Sequence, residues 1–302
     1  MTAALQGQLR PTLYRFKLGD FEMMNVLDSF AVRDGLASVH GGGAKPGEVE
    51  ALANANNIDP DRFEHPFVPA LVNTGKQVVL FDAGNGSLAR DIEALRGRVP
   101  DGHLVERLGQ AGYRPEDIDV ICITHCHPDH IGGLVSGGKS VFPNARYVIA
   151  AAEFDYWKKG ENISDARKPT KMQFDRIVAP LANKTTFIKP GDEIVSGIRA
   201  VDVSGHSAGM TAFHIESGGR SVLLWGDTCL HYVCGVQRPD WTIGFDDNPQ
   251  KAVATRKRIL AMAAAEKMFV VGFHMPFPSI GWIDKTSDGN HRWVAASYQM
   301  NV

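Results

Sequence analysis

The sequence predicts an α/β protein in which short apolar strands end in residues that can bind a metal or take part in catalysis. Runs rich in β-branched residues alternate with segments of helical periodicity, and turn residues separate many of them. The chain has 302 residues, is 44% hydrophobic and 22% charged, and is therefore long enough for one large domain with a sizeable core. Four predicted strands lead into histidine or aspartate, and loops at strand ends carry the chemistry of many α/β folds.

Two hairpins are predicted in the N-terminal third of the chain. Apolar and polar residues alternate over residues 12–28 on either side of a Gly-Asp turn, as in a hairpin with one apolar face. A short helix is predicted at 48–55, and residues 67–81 read as a second hairpin that ends in a sharp loop at Asp82. We therefore expect a hairpin extension over about residues 1–66 ahead of the main body.

The rest of the chain alternates helices with buried strands. Apolar spacing predicts helices at 101–111 and at about 248–266, the second with Pro249 in its first turn. Apolar runs predict strands at residues 118–123, 146–150, 198–203, 221–225 and 269–273. Between two of these strands, residues 151–184 carry several large aromatics and predict a helical insertion. Its aromatic residues suit the core, and they also suit the wall of a substrate pocket.

A cluster of three histidines and one aspartate follows the predicted strand at 118–123. An extended chain sends alternate side chains the same way, so His125 and His127 can bind one ion. A proline then turns the chain. After that turn the adjacent Asp129 and His130 can reach a second ion nearby, so the cluster predicts a metal site.

Three further predicted strands end near residues of the same kind, which are His206, Asp227 and His274. Together the candidate ligands make one site of His125, His127 and His206, a second site of Asp129, His130 and His274, and a bridge at Asp227. Two ions about 3.5 to 4 Å apart would bring a shared water to a pKa near neutral. The two carboxylates of the set, Asp129 and Asp227, are the predicted catalytic residues. We expect two divalent ions, with zinc favoured and manganese, cobalt or iron left open, because imidazole and carboxylate ligands suit them all.

Composition and charge argue against several other classes of protein. The formal net charge of −2 and the pI near 6.6 give no overall basic field for a nucleic acid, although a local basic patch is left open. The N-terminus lacks a signal-peptide pattern, and no run reaches the roughly 18 apolar residues of a membrane span. The four cysteines lie in or beside apolar segments, which fits free thiols in the cytoplasm. The expected partner is a small-molecule substrate, with no nucleic acid and no membrane, and a homodimer is left open.

The metal motif resembles the signature of the metallo-β-lactamase superfamily, with His-x-His-x-Asp-His at 125–130 followed by the distant His206, Asp227 and His274. The resemblance covers most of the chain and implies an αββα four-layer sandwich with the two ions at one edge of the sheets. Residues 1–302 are accordingly expected to form a single domain of this kind. The position of Asp82 matches an aspartate that, in this family, supports the site without binding metal.

The segment 274–281, His-Met-Pro-Phe-Pro-Ser-Ile-Gly, resembles one branch of this superfamily. That branch contains methyl parathion hydrolase and is related to the quorum-quenching lactonases. The resemblance implies a metal-dependent hydrolase of a small neutral ester. A lactone such as an acyl-homoserine lactone is the favoured substrate, and organophosphate triester hydrolysis is the alternative.

Four residues are predicted to contact the substrate. Trp157 in the aromatic insertion and Phe277 beside the last ligand are expected to form apolar walls. Lactonases of the better-known small branch carry a tyrosine three residues after the bridging aspartate, and here Leu230 holds that position, as in a phosphotriesterase-type pocket. The adjacent His231 can offer a polar substitute, and whether His231 or Tyr232 replaces the tyrosine is left open.

Other activities fit parts of the sequence less well. Residues 205–209 match the Gly-x-Ser-x-Gly nucleophile elbow and residues 40–43 match an esterase oxyanion loop. An elbow must lead into a helix, however, and residues 210–215 are rich in β-formers. A serine esterase would also leave the histidine cluster without a role. A dioxygenase of the same fold needs fewer ligands, and a β-lactamase is a further, less favoured alternative.

Overall fold

The computed structural model of this protein describes residues 4, 5, 7, 9–88, 99–161, 163–287, 289–296 and 300. Within these residues two seven-stranded sheets face each other, and helices pack on the outer face of each sheet. The predicted αββα order of layers is confirmed. That residues 1–302 form one domain stays a prediction.

The strands of the N-terminal half are β1 (Leu13–Leu18), β2 (Phe21–Val26), β3 (Ser29–Asp34), β4 (Arg62–Phe67), β5 (Ala70–Asn73), β6 (Val78–Phe81), β7 (Val120–Cys122), β8 (Val135–Ser136), β9 (Lys139–Ser140) and β10 (Arg146–Ala150). Those of the C-terminal half are β11 (Thr185–Ile188), β12 (Glu193–Val195), β13 (Ile198–Asp202), β14 (Thr211–Ser217), β15 (Arg220–Leu224), β16 (Phe269–Val271), β17 (Ile280–Lys285) and β18 (His291–Ala295). The first sheet has the order β1-β2-β5-β6-β7-β10-β11, and the second runs from β12 to β18 in chain order. β3 and β4 form a separate two-stranded sheet, as do β8 and β9.

The described α-helices are α1 (Leu36–His40), α2 (Glu48–Ala55), α3 (Leu104–Gln110), α4 (Pro128–Ile131), α5 (Ala151–Lys159), α6 (Lys168–Ile177), α7 (Cys234–Gln237) and α8 (Pro249–Ala265). The predicted helix at 48–55 is confirmed, and so is the helical character of the insertion at 151–184. α8 begins where predicted, because the Asn248 side chain caps it and accepts a hydrogen bond from the Lys251 amide. In the described part of the chain, no helix has both the length and the apolar character that a bilayer span requires.

The central strands of the first sheet, β5, β6, β7 and β10, are buried on both faces, which explains their nearly continuous apolar runs. On β5 and β6, Leu71 and Leu80 pack toward the helices. The alternate residues Val72 and Val79 pack toward the second sheet. The N-terminal hairpin predicted at 12–28 forms β1 and β2, and β2 pairs with β5, so this hairpin extends the first sheet.

Parallel strand pairs bring distant segments together at one edge of the two sheets. β6 and β7 are parallel, so Asp82 and Thr124 follow neighbouring strands. β15 and β16 are also parallel, so Asp227 and His274 lie at the same end of the second sheet. The four loops that carry the predicted chemistry therefore meet between the sheets.

Some strand pairs are not predicted from the sequence, among them β3 with β4 and β17 with β18. β3 and β4 pair in antiparallel register, with Ala31 opposite His65 and Arg33 opposite Phe63. β4 contains Pro66, which cannot donate a backbone hydrogen bond and weakens the strand pattern. β17 and β18 extend the second sheet beyond the last predicted strand.

Candidate metal centre

The loop after β7 changes direction at Pro128. His127 is extended, with φ −70° and ψ 153°, and Pro128 begins the short helix α4. His125 and His127 therefore leave the strand in extended chain, whereas Asp129 and His130 lie on the helix. The change of direction lets four residues within a stretch of six supply ligand atoms to two neighbouring positions.

The structure brings the seven predicted ligands together. Their ligand atoms form three overlapping groups in which all atoms lie within 4.8 Å of one another: His125, His127 and His206; His125, His130 and Asp227; and Asp129, His130 and His274. Within the first group, His127 Nδ1 is 2.9 Å from His206 Nε2. Six of the seven residues are buried, and only Asp129 is partly exposed.

The Asp227 carboxylate lies between the histidines of both sites. Its Oδ1 is 3.3 Å from His130 Nε2, and its Oδ2 is 3.0 Å from His274 Nε2. The same Oδ2 is 3.3 Å from His206 Nε2 and 3.8 Å from His125 Nε2. Ligands about 2.0 to 2.1 Å from a tetrahedral ion are about 3.3 Å apart, so these separations suit ligands that share ions. Burial raises the pKa of Asp227, but His274 and His130 lower it more, and the carboxylate is ionised.

Several atoms in the site lack a hydrogen-bond partner within the described structure. They are buried and include His125 Nε2, His130 Nε2 and Asp227 Oδ1. A buried polar atom without a partner is costly, and native structures rarely keep one unless it binds an ion or a ligand. The donor set is imidazole and carboxylate, which divalent transition metals accept. The residues present therefore fit a metal centre.

Most of the histidines are held from behind by a second partner. Their outer nitrogens meet Thr124 Oγ1 at 3.0 Å for His125, Asp82 Oδ2 at 2.8 Å for His130, Asp246 Oδ1 at 3.0 Å for His206 and the Pro66 carbonyl at 2.8 Å for His274. Such contacts select the tautomer and orient the ring before a metal binds. The roles of Asp246 and Pro66 were not predicted from the sequence, because neither lies near a ligand in the chain.

Burial and neighbouring charges shift the pKa values of the histidines in different directions. Burial lowers the pKa of His125 well below its usual value, with further lowering by His130 and His127. Burial also lowers the pKa of His127, to about 4. Burial acts in the same direction on His206, but Asp227 and Asp246 outweigh it and raise that pKa to about 9. His125 and His127 are therefore neutral and ready to bind metal, whereas binding at His206 must displace a proton.

Asp82 holds the His130 ring and the strand end that precedes the cluster. Its carboxylate accepts hydrogen bonds from the Thr124 amide and hydroxyl, each at 2.8 Å, and meets His130 Nδ1 at 2.8 Å. Asp82 is not a member of any ligand group. This placement matches the supporting role implied by the family resemblance.

Replacing Asp82 with asparagine is expected to weaken metal binding about 10- to 100-fold, because the amide cannot hold His130 as the carboxylate does. Competition of the metal-free protein with a zinc-binding dye would measure the affinity. Asp284, an exposed residue paired with Arg292, provides a matched Asp284→Asn control. An unchanged zinc affinity in Asp82→Asn would contradict the supporting role.

Glu153 on α5 is a buried carboxylate that the sequence analysis misses. It accepts hydrogen bonds from the Cys126 amide at 2.9 Å and from the Gly209 amide at 2.8 Å. It also accepts from Trp157 Nε1 at 2.7 Å and from the Ser207 hydroxyl at 2.6 Å. Glu153 thereby ties the loop of His125 and His127 to the loop of His206. In the sequence, the spacing of four residues between Glu153 and Trp157 in a predicted helix was the feature that could have indicated their contact.

The hydroxyl of Ser207 is used in this network. After Ser207 the chain enters β14 at Thr211 and does not form a helix. A nucleophile elbow needs a helix at this position, so the geometry disfavours a catalytic serine.

The metal ligands line a cleft of about 190 Å³. His127, Asp129, His206, Asp227 and His274 form part of its surface. Leu230 is also part of it, as predicted for a residue that contacts substrate. Other lining residues were not predicted from the sequence, among them Arg33, His65, Phe67 and Phe245. These come from β3, β4 and the loop before α8, far in the chain from the histidine cluster.

Trp157 does not line this cleft, which corrects the expectation that it forms a pocket wall. Its side chain is 0% exposed and packs in the core beneath the first sheet. Its ring centroid is 6.0 Å from that of His127, and its Nε1 donates to Glu153. The helical insertion therefore turns this aromatic inward, where it supports the metal loop.

His231 and Phe277 line a neighbouring pocket of about 500 Å³, together with Tyr232 and His274. His231 is only 4% exposed, and its Nδ1 accepts hydrogen bonds from the amides of Val233 and Cys234. Among the described residues of the metal cleft there is no tyrosine. His231 and Tyr232 line the neighbouring pocket and are not among the residues that line the metal cleft.

Comparison with known proteins identifies relatives of this arrangement. The chain is 29% identical over 181 residues to a protein of Mycobacterium tuberculosis named as a probable metallo-hydrolase. The aligned residues are 53% of this chain and 56% of that relative. The matched region thus spans little more than half the length of that relative. The N-acyl homoserine lactonase of Bacillus cereus is 26% identical over 210 residues, or 68% of this chain and 76% of the lactonase.

Solved structures show the same fold over nearly the whole chain. AidC, a dizinc quorum-quenching lactonase in complex with the product N-hexanoyl-L-homoserine, superposes with a TM-score of 0.82 at 27% identity, covering 95% of this chain and 98% of AidC. The hydrolase AbOPH superposes with a TM-score of 0.83 at 24% identity and the same coverage, and shows the fold.

The region that carries the candidate ligands matches a protein family. Residues 70–274 match the Metallo-beta-lactamase superfamily, a range that extends from β5 to the last candidate ligand. The chain therefore belongs to the metallo-beta-lactamase superfamily.

Proposed function

We propose that this protein is a dinuclear metal-dependent hydrolase that opens a small neutral lactone, such as an N-acyl homoserine lactone. The observation that carries the proposal is the Asp227 carboxylate, whose two oxygens face the histidines of both candidate sites. The likeness to AidC, described as a dizinc lactonase, supports both the lactone and zinc.

The bound metals and the residues of the chain would have separate roles in the reaction. Two bound divalent ions would supply a nucleophile from water near neutral pH and polarise the ester carbonyl. Asp129 is the most accessible of the seven candidate ligands, with a side chain 21% exposed toward the cleft. It is therefore the group that can hold a proton and pass it to the departing alkoxide. Phe67, Leu230 and Phe245 give the neutral substrate apolar contact area.

Organophosphate triester hydrolysis is the second candidate. Leu230 favours it, because an apolar residue stands where small-branch lactonases have a tyrosine that polarises the carbonyl. A β-lactamase, a dioxygenase of the same fold and a serine esterase have less support. A cytoplasmic location stays a prediction, with which the four buried free cysteines agree. A homodimer and the absence of nucleic-acid and membrane partners are likewise predictions that rest on the sequence.

A substrate panel on protein of known metal content tests the proposal. The panel contains N-hexanoyl-homoserine lactone, an aryl ester, a phosphotriester and a β-lactam. We expect the lactone to have the highest kcat/KM and the β-lactam to be unreacted. A phosphotriester that is hydrolysed faster than the lactone would favour the second candidate. No hydrolysis by fully metallated protein would contradict both.

A further inference from the structure

Arg33 is a cation in the metal cleft whose guanidinium donates no hydrogen bond within the described chain. It lies on β3, is half-buried, and lines the cleft together with Asp129 and His274. Its Nε is buried without a hydrogen bond, and within the described chain the guanidinium makes no hydrogen bond or ion pair. A half-buried guanidinium with unused donors is costly, which points to a ligand that completes it.

The protein holds this guanidinium in place by packing. Arg33 is paired across β3 and β4 with Phe63, and Ala31 is paired with His65, so these residues share one face of the small sheet. The guanidinium carbon lies 5.2 Å from the centre of the Phe245 ring, within the range of a cation–π contact. The contact with Phe245 keeps the guanidinium at the cleft, where its N–H groups can meet a bound molecule.

The other arginine of the cleft, Arg167, already has partners within the protein. Arg167 pairs with Asp247, with 2.7 Å between Nε and Oδ1, and also donates to the Phe245 carbonyl. Among the described cleft residues, Arg33 is therefore the cation whose donors remain open to a bound molecule. A guanidinium binds carbonyl or carboxylate oxygens through its planar set of N–H groups.

We propose that Arg33 is a specificity residue that binds a second acceptor oxygen of the substrate, beside the ester that is cleaved. This inference rests on the proposed lactonase function. A plain alkyl lactone has only its ester oxygens, which face the metal centre during hydrolysis. An acylamino lactone has an additional amide carbonyl close to the ring. The substrate class that Arg33 favours is accordingly lactones with an acylamino substituent.

The test compares Arg33→Met with wild type on two lactones of similar size, N-hexanoyl-homoserine lactone and γ-decalactone. We expect kcat/KM for the acylamino lactone to fall about 10- to 100-fold, mainly through KM, since a hydrogen bond from a charged donor is lost. The fall for γ-decalactone should be less than about 3-fold, because no second acceptor is present. Arg33→Lys should lie between the two, as it keeps the charge and loses the planar set of donors.

Calorimetry provides a readout that does not depend on turnover. Binding of ring-opened N-hexanoyl-homoserine to the metal-loaded protein should weaken about 10-fold in Arg33→Met. Arg292→Met, which removes an exposed arginine on β18, is the matched control and should change neither binding nor kinetics. Metal content and melting temperature are measured for every variant.

Equal losses on both lactones, or no loss on either, would overturn the proposal for Arg33. Loss of metal or of folding in Arg33→Met would overturn it as well, since it would reveal a structural role. If wild type opens neither lactone, the proposed function is wrong. Arg33 is then judged by calorimetry alone: weaker product binding in Arg33→Met supports its role, and equal binding refutes it.

Discussion

Replacing Asp227 with alanine is expected to lower kcat/KM for the best lactone by about 1,000-fold or more, because the residue faces both candidate ion positions at once. The variant should also bind fewer ions than the two per chain expected for wild type. Steady-state kinetics and elemental analysis of the same preparations measure the two effects. A wild-type content fixed at one ion, even after reconstitution with excess metal, would contradict the dinuclear site.

Ser207→Ala is the matched control for Asp227→Ala, since it separates metal from serine chemistry. The Ser207 hydroxyl donates to Glu153, so its loss should reduce the free energy of unfolding by about 1 to 3 kcal/mol and leave most of the activity. His206→Ala should instead behave like Asp227→Ala. An inactive Ser207→Ala beside an active His206→Ala would revive the nucleophile elbow.

Replacing Glu153 with alanine is expected to lower the free energy of unfolding by about 4 kcal/mol. The change leaves the Cys126 amide, the Gly209 amide and Trp157 Nε1 buried without their acceptor. Urea unfolding of the metal-free protein measures the loss without a contribution from metal binding.

Two further variants make the Glu153 experiment specific. Glu153→Gln keeps an acceptor oxygen in place and should lose less stability than Glu153→Ala. Glu216→Ala removes an exposed glutamate on β14 and should change the unfolding free energy by less than about 0.5 kcal/mol. If Glu153→Ala and Glu216→Ala unfold at the same urea concentration, the network around Glu153 contributes little.

Local patterns in the sequence were enough to identify the candidate ligands. His125 and His127 alternate along an extended segment, and Pro128 reverses the chain before Asp129 and His130. Each of these features depends on residues within a few positions of one another. The same reasoning predicted α2 and the start of α8, and at α8 the Asn248 cap and Pro249 act within one turn.

The strand ends were predictable one by one, but their meeting place was not derivable from spacing alone. Asp227 and His274 lie side by side because β15 and β16 pair in parallel across a long helical connection. The order of strands in a sheet depends on contacts between distant segments, which no local pattern records. The family resemblance supplied that part of the prediction.

The sequence by itself determined the seven candidate ligands and the alternation of strands and helices, because both follow from interactions between residues close together in the chain. Only the tertiary structure decided what surrounds the ligands. It turned Trp157 into the core and brought Arg33 and Phe245 to the cleft from segments more than 200 residues apart. Burial and pocket lining depend on how separate elements pack, and a side chain of the same type can face either way.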